Sequence, residues 1–374
     1  MTAPSRHVYV HVPFCARRCS YCDFNIAVRR EVPVREYLDA LEAELTARLP
    51  DHRHHRIETL YFGGGTPSHL GKDGLAAAVG LLGEFFQWDA DAEVTVEANP
   101  DDITPLALAT WKAGGVTRLS LGAQSFDPHV LAWMHRSHTA EQVLTAVDHI
   151  REVGFTSWSF DLIFALPASL QRDWARDLDL ALGTDPPHLS LYGLTIEPGT
   201  PLGRWAERGE VAAADEGTYE HQFLSAHAAA TAAGLEHYEV SNFGRPGHQA
   251  RHNRCYWSGA PYLAFGPGAH GFDGTTRRWN HGPYARWRDT AMRGVDPVAG
   301  QETIGSEARG LEAAYLGLRT TDGLRLDAAG RAVAAPWIAA GWAVLSGDRL
   351  VLTPTGWLRL DTLANAITPA SAHT

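Results

Sequence analysis

The chain is nearly without lysine and poor in cysteine. Lys72 and Lys112 are its only lysines among 374 residues, so arginine supplies almost all positive charge. That usage reads as genomic base composition rather than function. The formal net charge of -11 excludes a general nucleic-acid surface, which needs a basic excess. No stretch approaches the roughly 18–20 consecutive apolar residues of a membrane-spanning helix. No secretory leader is visible either, so the expected compartment is the reducing cytoplasm. Cysteine is confined to Cys15, Cys19, Cys22 and the remote Cys255, too few for a disulfide scaffold. The remaining composition, 45 % hydrophobic and 20 % charged, is that of an ordinary globular chain. Its length allows one large α/β domain and a smaller one.

Short apolar runs alternate with longer amphipathic ones over the first 200 residues. Strands are expected at Val8–Val12, Thr59–Phe62, Glu93–Ala98, Arg118–Gly122, Ser157–Leu162 and His188–Leu194. Helices are expected between them at Val34–Leu49, Gly74–Phe86, Thr104–Ala113, Ala140–Val153 and Leu170–Leu182. Thr104-Pro105 supplies a favourable N-cap and first helical residue. Such a rhythm predicts parallel strands with helical crossovers, buried on both faces, in a barrel or an open doubly wound sheet. A helix follows at about Asp215–Ala233. From Asn242 to about Gly300 the chain is rich in Gly, Pro, His, Trp and Tyr, too aromatic for a disordered linker, and is expected to pack on the barrel and close it. Helical patterns return at Ser306–Leu318 and Asp327–Ala340. A hairpin about Ser346-Gly347-Asp348 and a short helix from Thr355 complete a winged-helix-like arrangement. Six arginines against seven carboxylates over 300–374 give that part no basic face. The expected division is 1–240, 241–299 and 300–374.

Cys15, Cys19 and Cys22 form C-x3-C-x2-C directly after the first strand. Thiolates suit iron–sulfur clusters, and three of them hold three corners of a [4Fe–4S] cube with one iron left open. A zinc site, with His11 as a fourth ligand, and inert thiols are the alternatives. Loops at the carboxyl ends of parallel strands face the active site. Gly63-Gly64-Gly65-Thr66-Pro67 follows the second strand and lets backbone approach a ligand closely. Glu97 ends the third strand, Gln124 follows the fourth, and Asp161 lies near the end of the fifth. A carboxylate in an apolar strand must be paired or bonded. Each alone reads as a structural hydrogen bond; together they read as one site. Arg136, after Met134-His135, would singly be a surface arginine.

The cysteine spacing with Tyr21 before the last thiol, followed by Gly-Gly-Gly-Thr-Pro, resembles the radical S-adenosylmethionine (SAM) enzymes. Adding Tyr9-Val-His-Val-Pro-Phe-Cys, Glu-Ala-Asn-Pro, Leu-Gly-Ala-Gln-Ser-Phe and Asp-Leu-Ile-Phe-Ala-Leu-Pro, nearly the whole chain is similar to the oxygen-independent coproporphyrinogen III oxidase group. The resemblance implies a partial (β/α)6 barrel with a mostly helical C-terminal domain. It implies a cluster on Cys15, Cys19 and Cys22 whose open iron chelates SAM, and cleavage of SAM to methionine and a 5′-deoxyadenosyl radical. It places Tyr9 beside cluster and SAM, and Gly64, Gly65 and Thr66 at the methionine end of SAM. Glu97 and Arg136 fall at its amino and carboxylate groups, Gln124 and Asp161 near its ribose.

Three departures separate the chain from the oxidase. Phe24 stands where the oxidase has a fourth cysteine. Only 14 residues precede Cys15, where the oxidase has a long extension. Residues His252-Asn253-Arg254-Cys255-Tyr256-Trp257 match the H-N-x-x-Y-W motif of the heme chaperone branch. That branch implies heme as ligand, heme-acceptor proteins (respiratory, membrane-associated ones among them) and an electron donor as partners, and no coproporphyrinogen oxidase activity. Whether the chain is an enzyme is left open. His252 is then a candidate heme ligand, with Tyr256 and Trp257 to pack on porphyrin. The alternative is a histidine that holds the closing segment by hydrogen bonds. Cys255 and His270 are rival ligands. The competing functions are a porphyrin-modifying radical SAM enzyme, the oxidase included, and a purely structural or regulatory iron–sulfur protein.

Overall fold

A computed structural model describes residues 5–49 and 56–367. Six strands run parallel and in chain order: β1 His7–Val12, β2 Arg56–Gly64, β3 Gln87–Ala98, β4 Arg118–Gln124, β5 Ser157–Phe164 and β6 His188–Gly193. Helices α1 Val34–Arg48, α2 Gly71–Phe85, α3 Pro105–Ala113, α4 Ala140–Val153 and α5 Trp174–Gly183 connect them. Three later strands, β7 Glu236–Glu239, β8 Asn242–Gly244 and β9 Leu263–Phe265, extend the sheet to nine: β8 runs antiparallel beside β6, β7 pairs antiparallel with β8, and β9 runs parallel beside β1. The order β9-β1-β2-β3-β4-β5-β6-β8-β7 leaves two edges, so the barrel is partial.

The strands alternate with period two, and the alternation assigns the faces. Val8, Val10, Leu60, Phe62, Val94, Val96, Leu119, Leu121, Phe160, Leu162, Leu189 and Leu191 are all buried in the main apolar core. Each removes a side chain from water at about 1.5–3 kcal/mol, so truncating Phe62 would cost about 3–5 kcal/mol. The other face is polar: Tyr9, His11, Thr59, Tyr61, Thr95, Glu97, Arg118, Ser120, Ser159, Asp161, His188 and Ser190. Both faces are covered, as expected, but only one is hydrophobic. The inner face is a lining.

Thr104 caps α3 as expected, its hydroxyl accepting from Ala107 N. Helix α5 starts later than the expected Leu170. Pro167 precedes a single 3-10 turn at Ala168–Leu170, Gln171 is left-handed, and Asp173 caps the helix through Arg176 N. The aromatic segment after Asn242 contains a short helix, Arg251–Trp257, then β9 and a hairpin, His270–Phe272 with Thr276–Asn280. Glu44 of α1 anchors it. This fully buried carboxylate accepts from Gly266 N (2.9 Å), Asn280 Nδ2 (2.7 Å), Trp287 Nε1 (2.8 Å) and Arg48 Nη1 (2.6 Å).

Beyond it, helix Ser306–Arg319 leads to a three-stranded antiparallel sheet, with Leu324–Arg325 beside Arg349–Leu352 and then Ala343–Ser346. Helices Ala328–Ala339, Pro354–Trp357 and Leu360–Ala366 complete a winged-helix-like unit. It packs on the sheet edge, where the Trp357 ring meets His237 of β7 at 4.5 Å, while Trp357 Nε1 donates to Leu318 O of helix Ser306–Arg319.

Candidate functional site

A cavity of about 460 Å³ opens at the carboxyl ends of β2–β6. Cys15, Cys19, Cys22, Gly64, Gly65, Thr66, Glu97, Gln124, Arg136 and Asp161 all line it. Residues far apart in sequence are therefore brought to one place. Tyr9 is not in the lining. It lies beneath, its hydroxyl 3.1 Å from His11 Nδ1 and its ring stacked on Tyr61 at 6.2 Å.

Backbone hydrogen bonds fix the cysteine loop. Phe14–Cys15 pairs with Ala27–Val28, and Arg29 N donates to Cys15 O at 2.9 Å. Ser20, fully buried, donates from its backbone N to Met134 O and accepts from Leu202 N. The glycine run reaches across: Gly65 N donates to Val12 O, Thr66 N to Phe14 O. Gly64 has φ +111, and a Cβ there would meet the His11 ring at 2.5 Å, so both conformation and space require glycine.

The thiol of Cys15 is pushed up to about 11 by burial, with the Thr66 hydroxyl opposing. Ligand thiolates therefore need compensating donors. Thr66 Oγ1 stands 3.4 Å from Cys15 Sγ, and Arg136 Nη1 donates to Cys19 Sγ at 3.3 Å. Among the described residues no three Cys, His, Asp or Glu side chains converge as tightly as the ligands of one ion do. A cubane instead spreads three thiolates over three irons. Three thiols on one cavity, two with donors aimed at sulfur, fit such a cluster.

Arg136 is no surface residue. Its Nη2 donates to Asn99 Oδ1 (2.6 Å) and Gly122 O (2.8 Å). His135, at φ +59, turns the chain into the cavity just before it. Gln124 is likewise left-handed, φ +67, at a register shift between β4 and β5. Strain of this kind persists only where surrounding structure enforces it. Here Asp177 holds the loop, accepting from Ser125 Oγ, Phe126 N and Arg172.

Two carboxylates face the cavity. Glu97 Oε1 accepts from Tyr61 OH at 2.8 Å and Oε2 from Gly64 N at 3.1 Å. Burial raises it to about 7, and the Asp161 charge adds to that rise. Asp161 accepts from Ser120 Oγ (3.0 and 3.1 Å) and Ser190, and burial raises it to about 6. With Arg136 they offer both signs of charge to a zwitterion.

Tyr61, Ser120 and Tyr192, which lie outside the motifs, also line the cavity, as does Asn99 of Glu-Ala-Asn-Pro, to which the motif assigns no role. The signal was present: Tyr61, Ser120 and Tyr192 hold the polar positions of alternating strands.

His252 does not line the cavity. It is fully buried, with Nδ1 2.7 Å from Thr59 Oγ1 and Nε2 2.8 Å from Tyr256 OH. Neither ring nitrogen is open to an iron in this structure, and burial lowers its pKa to about 3. Cys255 is buried too, and burial pushes its thiol up. His270 is exposed, its ring stacked on Trp279 at 5.7 Å.

Residues 9–181 match the radical SAM superfamily. The heme chaperone HemW of Mycobacterium tuberculosis is 40 % identical over 96 % of this chain and 94 % of its own. HemW of Bacillus subtilis is 34 % identical over 85 % of this chain and 84 % of its own. Among solved structures, coproporphyrinogen III oxidase (HemN) of Escherichia coli, a radical SAM enzyme, superposes with a TM-score of 0.82. That match covers 97 % of this chain and 90 % of HemN at 23 % identity, a likeness of fold. No helix among the described residues is long and apolar enough to cross a membrane. The superfamily implies SAM and a [4Fe–4S] cluster, and the near full-length identity to HemW proteins makes this chain a member of the HemW family of radical SAM proteins.

Proposed function

We propose that this protein binds heme and delivers it to acceptor hemoproteins, membrane-associated respiratory ones among them, and that it carries a SAM-coordinating cluster. The observation that carries this reading is the 40 % identity to a heme chaperone along 96 % of the chain. Phe24 in place of a fourth cysteine and the His252–Trp257 motif favour it over the oxidase.

When bound, the cluster would supply a coordination position for the amino-acid end of SAM and a source of one electron. Cys15, Cys19 and Cys22 hold it. Thr66 and Arg136 temper the sulfur charge through the contacts described above. Gly64 and Gly65 let backbone approach the methionine end. Glu97 takes the amino group and Arg136 the carboxylate, while Gln124 and Asp161 serve the ribose. Tyr9 supports the floor. A protein that reduces the cluster is a required partner, nucleic acid is not, and the cytoplasm is the place of action. Residues 1–240 form the SAM-binding unit, 241–299 close it, and 300–374 form the C-terminal unit.

Heme iron needs a ligand with a free nitrogen or sulfur. For His252 to serve, the Arg251–Trp257 helix would first have to leave Thr59 and Tyr256. His270 is exposed and offers an imidazole on an aromatic hairpin, so it is the ligand we propose.

Anaerobic incubation of reconstituted protein with SAM, reductant and coproporphyrinogen III tests the choice. The expected result is no protoporphyrinogen. Turnover to protoporphyrinogen would establish the oxidase instead.

A further inference from the structure

Helix Arg251–Trp257 plugs the end of the barrel opposite the cysteine loop. Its first two backbone N–H groups donate to one carboxylate: Arg251 N to Glu93 Oε2 (3.0 Å) and His252 N to Glu93 Oε1 (2.9 Å). Glu93 lies on β3, four residues before Glu97, and the even spacing puts both on the inner face. One strand thus holds the plug at one end and a cavity carboxylate at the other.

Two rings fill the space between them. His252 stacks on Tyr61 with centroids 5.1 Å apart and planes at 27°. The Tyr61 hydroxyl donates to Glu97 Oε1 at 2.8 Å. Tyr9 also packs against Tyr61, with ring centroids 6.2 Å apart, so the tyrosine ring has two ring neighbours while its hydroxyl meets Glu97. His252 is itself fixed at both nitrogens, by Thr59 and Tyr256, and Thr59 Oγ1 is shared with His7 Nδ1 at 3.0 Å. A ring so constrained suits a buttress.

We infer that His252 is a positioning residue of the SAM site, acting through Tyr61 to set the orientation of Glu97. This rests on the reading that SAM occupies the cavity with its amino group at Glu97. It gives the histidine of the motif a role in SAM binding that is independent of heme.

The test is a double-mutant cycle on SAM affinity in cluster-loaded protein, measured by equilibrium dialysis. Tyr61→Phe removes the hydroxyl and should weaken SAM binding about tenfold. His252→Ala should weaken it by a similar factor, with iron content unchanged. The double variant should be no weaker than Tyr61→Phe alone, because the histidine acts only through that hydroxyl. His252→Gln, which can still reach Thr59 or Tyr256, should recover to within about threefold of wild type. If His252→Ala fails to fold, Thr59→Val, which removes the partner of Nδ1, takes its place in the same cycle. Affinity within twofold of wild type in a folded His252→Ala, or factors that multiply in the double variant, overturns the inference. Failure of wild type to bind SAM at all would instead overturn the reading on which it rests.

Discussion

Replacing Glu97 with Gln should change how stability depends on pH, in a direction fixed by the site. Burial raises the Glu97 carboxyl from its usual 4.5 to about 7, because ionisation must occur away from bulk water and near Asp161. The native state therefore keeps this proton where the unfolded chain has lost it. For such a group stability is highest below the unfolded value, falls as pH rises through the interval, and stays lowered above the folded value. At about 1.4 kcal/mol per pH unit, the interval from 4.5 to about 7 is worth roughly 3 kcal/mol. The side chain keeps part of its surface on the cavity, so water relieves some of this, and about 2 kcal/mol is the expected size. Glutamine keeps an acceptor for Tyr61 or Gly64 but cannot ionise. Denaturant unfolding of wild type and Glu97→Gln, without SAM, at intervals from pH 4.5 to 8 isolates the effect. The variant should gain on wild type as pH rises to about 7, then run parallel to it. A difference that is flat with pH, or that moves the other way, would refute the placement of Glu97 as a strained acid.

Other substitutions probe other parts of the site. Cys19→Ser should remove most iron and cluster absorbance from reconstituted protein, and a stoichiometric zinc protein without iron would contradict the cluster. Arg136→Ala should weaken SAM binding by about 1–3 kcal/mol, read as dialysis affinity, because a charge-assisted bond is lost and Asn99 loses its donor. Glu44→Ala leaves buried Arg48, Asn280 and Trp287 without their shared acceptor. It should cost about 3–5 kcal/mol in denaturant unfolding. In heme titrations His270→Ala should shift the Soret band, whereas His252→Ala should leave it in place. The reverse pattern would return the ligand role to the motif histidine.

The six-strand rhythm was legible because each strand alternates side chains and each crossover helix spans several turns. The cysteine loop, the glycine run, Glu97, Gln124, Arg136 and Asp161 were legible as motifs, and the fold brings them to one cavity. Tyr61 and Ser120 are less visible, since an inward-facing polar residue matters only once the sheet curls around it. The segment after Asn242 resisted reading for a different reason. Its strand Leu263–Phe265 and helix Arg251–Trp257 are too short for periodicity to register. They are held instead by partners more than 150 residues away, Glu93 and Glu44. The burial of His252 follows from that long-range docking, and no local pattern announces it.

The central claim is that this chain carries heme. Heme should be titrated into cluster-loaded protein under anaerobic conditions, followed by addition of an apo-hemoprotein acceptor. Saturation at about one heme per chain is expected, followed by transfer of that heme to the acceptor, seen as the acceptor's own Soret spectrum. Absence of saturable heme binding, or heme that binds and is never passed on, would contradict it.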